Sequence, residues 1–136
     1  MVKRASAFAL FLFLLSSSAF AFETALPPLQ DSPAYQQFSK QPKSELAKLV
    51  FLLNRFKEAK STVIYDSNSY TAQEASKLAK DFLMRNYHKE TAEYWVKNYC
   101  HKTKKGNVIL LKGSDEDTKP ALELALEELT MLEGKK

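Results

Sequence analysis

The residues of this chain with near-neutral acid–base or nucleophilic chemistry are few: one cysteine, Cys100, and two histidines, His88 and His101. A cysteine nucleophile needs a base within hydrogen-bond reach. His101 adjoins Cys100, but neighbours on a helix point about 100° apart, so the base would have to be His88. Zinc requires three or four Cys, His or carboxylate ligands at set spacings, and these three residues do not supply them. Asp115-Glu116-Asp117 offers oxygen ligands without the central glycine and closing glutamate of a calcium-binding hand loop. Helix capping by Asp117 or Thr118 accounts for the same residues. No pattern points to a metal or a cofactor. Cys100 reads as a buried structural thiol, and a lone cysteine can form no intrachain disulfide.

Charge is more informative than any catalytic motif. Residues 40–112 carry 15 Lys+Arg against 7 Asp+Glu, a net +8, whereas residues 113–136 carry 3 against 7, a net −4. The basic part concentrates at Lys97, His101, Lys102, Lys104, Lys105 and Lys112, and Tyr94 lies off the apolar face of the helix that precedes this turn. These seven residues form the candidate binding surface. Its fitting partners are an acidic envelope protein, an anionic lipid or an anionic polymer. The aromatic–basic interleaving of a nucleic-acid reader is missing. The competing reading is intramolecular, with the acidic last helix lying beside the lysine turn and neutralising it.

The basic patch must be positioned by what surrounds it. Residues 1–21 combine Lys3 and Arg4 with the apolar run Ala7–Leu15 and close on Ala19-Phe20-Ala21. This is the order of a Sec-type signal peptide cleaved after Ala21, leaving a periplasmic or secreted chain that starts at Phe22. The apolar run is well short of the ~20 residues that span a bilayer, and no later segment of the mature chain is apolar enough to do so. Residues 22–43 hold Pro27, Pro28, Pro33 and Pro42 without helical or strand periodicity, which predicts an extended arm. Residues 44–136 then form one compact domain.

Within that domain Ser44 is a candidate N-cap for a helix over 45–59, whose face is Leu46, Leu49, Val50, Leu53 and Phe56. Ser61–Tyr65 is β-branched and aromatic, Asp66–Ser69 is a turn, and Tyr70 begins a return strand. Thr71-Ala72-Gln73-Glu74 is a capping box for a helix with Ala75, Leu78, Ala79, Phe82 and Leu83 on its apolar face. Thr91 caps a third helix with Ala92, Trp95, Val96 and Tyr99 inward. Val108–Leu111 reads as a buried strand. Pro120 falls in the first turn of a last helix marked by Leu122, Ala125, Leu126, Leu129 and Leu132. The sum is an α+β fold: about four helices packed on a small two- or three-stranded antiparallel sheet.

The run Tyr70–Ala75, the run Thr91–Val96 and the Thr103–Gly106 turn before a strand resemble the YfeK-like family of small exported bacterial proteins, a domain of unknown function. The resemblance covers roughly residues 45–130 and implies the fold and the compartment, with no activity attached. This chain departs from the family's polar positions. Tyr65-Asp66-Ser67 stands where the family has an Arg-Asn-Gly turn, Leu78 stands at its histidine and Phe82 at its lysine. The sequence therefore predicts an exported, non-enzymatic binding protein that uses the lysine turn, the arm, or both. The alternatives are a small envelope hydrolase-like enzyme using His88 or His101, and a structural protein that self-associates through the arm.

Overall fold

The computed structural model describes residues 26–114 and 116–134. The expected cleavage residues Ala19, Ala21 and Phe22 lie outside them, as does Asp115 of the acidic loop. A 3-10 turn at Leu29–Asp31 leads into α1 (Pro33–Ser39) and α2 (Glu45–Lys57). The hairpin β1 (Thr62–Tyr65) and β2 (Asn68–Thr71) follows, then α3 (Ala72–Asn86) and α4 (Ala92–Tyr99). β3 (Leu110–Lys112), β4 (Thr118–Pro120) and α5 (Ala121–Leu132) complete the chain. The strands form one antiparallel sheet in the order β2-β1-β3-β4. The class is α+β, a single compact unit with five α-helices and four strands among the described residues, one helix and at least one strand more than expected.

Local chemistry explains most elements. The capping box is formed in full: the Glu74 N–H donates to Thr71 Oγ1 at 3.1 Å and the Thr71 N–H to Glu74 Oε1 at 2.9 Å. Ser44 and Thr91 cap α2 and α4 through the Ala47 and Tyr94 N–H groups. Asp66 and Ser67 both have positive φ, 52° and 71°, the sign pattern of the two-residue turn whose twist suits a hairpin. The expected cap at Asp117 or Thr118 does not form. Thr118–Pro120 pairs with β3 instead, and Pro120 itself stands at the N-cap of α5 with no side-chain cap bond. A proline is tolerated there because β4 is an edge strand and lacks nothing by having no donor on its outer side.

Over the described residues 26–43 the arm is not extended throughout. Ser32 caps α1 by accepting from the Tyr35 N–H, and Pro33 occupies the first helical position, where its missing N–H costs nothing. α1 packs on α2 through Phe38 and Tyr35, whose rings lie 5.7 and 6.5 Å from that of Phe51. The packed body therefore reaches back to Leu26 rather than starting at residue 44. One core cluster gathers Ala34 and Phe38 with Leu49, Phe51 and Leu52 of α2, Leu83 of α3, Trp95 and Val96 of α4, and Leu129 of α5. A second lies between sheet and α5, where Ile109, Leu111, Ala121 and Leu124 meet Val63 and Leu26.

Beneath the N-terminal segment lies a buried polar clamp. Arg55 is 3% exposed, and its Nε donates to Glu128 Oε1 at 2.7 Å. Its Nη1 donates to the Pro27 carbonyl at 2.6 Å and stands 3.6 Å from Glu58. The Glu58 carboxylate accepts from the Ser32 hydroxyl at 2.8 Å and from the Ala34 N–H at 2.8 Å. Burying these charges is tolerable only because each is paired and hydrogen-bonded.

Candidate functional site

The lysine turn grows out of the α4 exit. Trp95 and Val96 bury the inner face of α4, and the Cys100 N–H closes the helix on the Val96 carbonyl. The chain then doubles back: Lys102 pairs with Val108, and the Thr103 N–H donates to the Asn107 carbonyl at 2.9 Å. The Gly106 N–H closes the tight turn on Thr103 with φ at +90°, a conformation open to glycine and strained for other residues. Thr103 is buried, and its hydroxyl donates to Asp66 Oδ1 at 2.6 Å while accepting from the Lys105 and Asn107 N–H groups. The Asn107 side-chain amide donates to the same Asp66 oxygen at 2.8 Å. The turn is thus stapled to the tip of the β1–β2 hairpin. Those two hydrogen bonds, Thr103 first, hold the Asp66 carboxyl below its usual range, and the nearby Lys105 charge adds to them.

The seven candidate residues are only partly brought together. Lys102, Lys104 and Lys105 share the stapled turn, all exposed and without an ion pair among the described residues. His101 is half-buried at its base, where its carbonyl accepts from the Ile109 N–H. Lys97 instead bonds Glu93 one helical turn back at 2.6 Å, and Lys112 bonds Glu116 at 2.8 Å. Tyr94 is exposed, as its position off the apolar face predicts. Among the described residues the last helix makes no ion pair with the turn lysines. Its Glu128 is held by Arg55, Glu127 by Lys119, and Glu133 just beyond it by Lys48.

An aromatic shelf adjoins the turn that the sequence reading assigned to the core. The ring of Phe82 on α3 lies 5.3 Å from that of Tyr99 and 5.8 Å from that of Trp95, and Trp95 to Tyr99 is 4.4 Å. Trp95 is buried as expected, but Tyr99, Phe82 and Leu78 are exposed, Leu78 at 56%. The reason is geometric: α3 points Ala72, Ser76 and Leu83 inward. Leu78 and Phe82, an i, i+4 pair, fall to the side of that stripe. Periodicity alone gives a width of apolar surface and cannot say how much of it a neighbour covers.

The groups with catalytic chemistry do not converge. His88 Nδ1 lies 2.7 Å from the Asn86 carbonyl and the His88 backbone N–H donates to Glu90 Oε1 at 2.7 Å, but among the described residues no hydrogen bond joins the imidazole of His88 or His101 to Cys100 or to a carboxylate. Cys100 is half-buried against the first core cluster, and desolvation pushes its thiol up to about 12, so the nucleophilic thiolate is scarce at neutral pH. No group of three or more His, Cys, Asp or Glu side chains is placed to hold a metal ion among the described residues. No described helix is long and apolar enough to cross a membrane. No family model matches the chain, and no curated protein or solved structure matches it either.

Proposed function

We infer that this chain is an exported, non-enzymatic binding protein that meets an anionic envelope component through Lys102, Lys104 and Lys105, with Tyr99 and Phe82 supplying apolar contact beside them. The observation that supports this reading is the division of ion pairs. Among the described residues Glu128, Glu127 and Glu133 are bonded to Arg55, Lys119 and Lys48, and Lys102, Lys104 and Lys105 of the stapled turn are exposed without an ion pair. Three ammonium groups on one turn raise the local potential and steer an oppositely charged partner. Export rests on the leader pattern of residues 1–21, and the resemblance to the YfeK-like family agrees with that compartment. The test is a photo-crosslinking side chain at position 104 in living cells, with one at Glu123 as the control. A defined crosslinked partner at 104 that disappears in the Lys102→Glu/Lys105→Glu background is the expected result. Crosslinks unaffected by those reversals, or an activity lost on His88→Ala or His101→Ala, would overturn it. Export is checked by intact mass, which should begin at Phe22.

A further inference from the structure

On the opposite side of α3 from the aromatic shelf, α1, α2 and α3 enclose an open groove of about 730 Å³. That is within the ~300–1,000 Å³ typical of small-ligand sites. Lys57 of α2 and Lys77 and Lys80 of α3 line it, together with the amide side chains of Gln37, Asn54 and Gln73. Gln73, Lys77 and Lys80 follow one another at i, i+4 and i+7, so they stand in a row along one face of α3. None of these six side chains has a hydrogen-bond or ion-pair partner among the described residues. The carboxylate at the groove, Glu58, bonds Ser32, Ala34 and Arg55 and makes no ion pair with the three lysines. The wall thus presents three ammonium and three amide groups, every one a donor, and no aromatic surface on which a sugar ring or base would stack.

We propose that this groove binds a phosphate-bearing anion with more than one phosphoryl group. Phosphate is favoured over carboxylate by the kind of cation present. Planar carboxylates are matched by the guanidinium fork, and the arginine nearest this groove, Arg55, is buried and bonded to Glu128 and Pro27. Ammonium groups act as point charges with rotatable donors, which suits tetrahedral phosphoryl oxygens spread along a groove. The site is separate from the lysine turn, and each can fail without the other.

Calorimetric titration of the full chain with sodium tripolyphosphate tests it. A Lys57→Gln/Lys77→Gln/Lys80→Gln variant keeps helix propensity close to that of lysine, so its fold is retained. A Lys102→Gln/Lys104→Gln/Lys105→Gln variant serves as the comparison. Saturable binding, weakened about tenfold or more in the groove variant and unchanged in the turn variant, is expected for loss of charge-assisted hydrogen bonds. A second arm uses vesicles of phosphatidylcholine and cardiolipin, whose headgroup carries two phosphates. Sedimentation with them that is lost in the groove variant assigns the phosphate to a lipid headgroup, and tripolyphosphate binding without such sedimentation assigns it to a soluble ligand. No saturable tripolyphosphate binding, equal loss in both variants, or binding of a polyglutamate peptide alone would each overturn the proposal.

Discussion

Glu58 and Asp66 each hold a distant segment by the same chemistry, a hydroxyl and an N–H donating to one carboxylate. Glu58 takes the Ser32 hydroxyl and the Ala34 N–H, and Asp66 takes the Thr103 hydroxyl and the Asn107 amide. Their surroundings differ. The Glu58 staple sits over Arg55 and Glu128, whose side chains are 3% and 5% exposed, so its charges are compensated in a low-dielectric interior. The Asp66 staple faces water, with Lys104 and Lys105 beyond it. The first carboxylate fixes the N-terminal segment and leaves no charge for a partner. The second holds the turn through the Thr103 and Asn107 side chains, and the cations it positions remain available. Charge counting along the chain treats Arg55 and Lys104 alike, and their environments make them opposites.

The comparison breaks first at Arg55. Arg55→Ala strands the buried Glu128 carboxylate and is expected to cost about 3–5 kcal/mol in urea unfolding. Arg55→Met combined with Glu128→Leu should recover part of that loss, because the buried Glu128 charge is gone while Glu58 and the Pro27 carbonyl still lose the guanidinium. Ser32→Ala removes one donor from the Glu58 carboxylate and should cost about 1–3 kcal/mol by the same measurement.

The exposed staple should respond to pH rather than to global unfolding. Asp66 is held below its ordinary 3.8, so its contribution is complete above that value and is lost as pH falls through the lower folded pKa. Side-chain and amide NMR signals of Thr103 and Asn107 should titrate together there, and Thr103→Val should return the Asp66 titration toward the ordinary value. The smallest effect on stability belongs to the turn cations. Lys102→Glu with Lys105→Glu should change unfolding free energy by no more than about 0.5 kcal/mol while abolishing the crosslink at position 104. A loss of several kcal/mol there would mean that the lysines are structural after all.

The sequence by itself determined the features whose partners lie within one turn of backbone. Ser44, Thr71 with Glu74, and Thr91 were legible as caps because a side chain at the N-cap reaches the N–H three residues on whatever the rest of the fold does. The hairpin turn, read over Asp66–Ser69 and confined by the structure to Asp66-Ser67, and the inward Trp95 were legible for the same local reason, as was the lysine cluster at residues 102–105. Only the tertiary structure decided which long-range partners meet. Arg55 and Glu128 are 73 residues apart and Ser32 and Glu58 are 26 apart, so nothing in the spacing of either pair marks it. The helical state of Pro33–Ser39 depends on docking against Phe51, since a seven-residue helix is too short to hold itself in water. The exposure of Leu78, Phe82 and Tyr99 was likewise decided by packing: a helical period says which residues share a face, and burial depends on whether another element is laid over it.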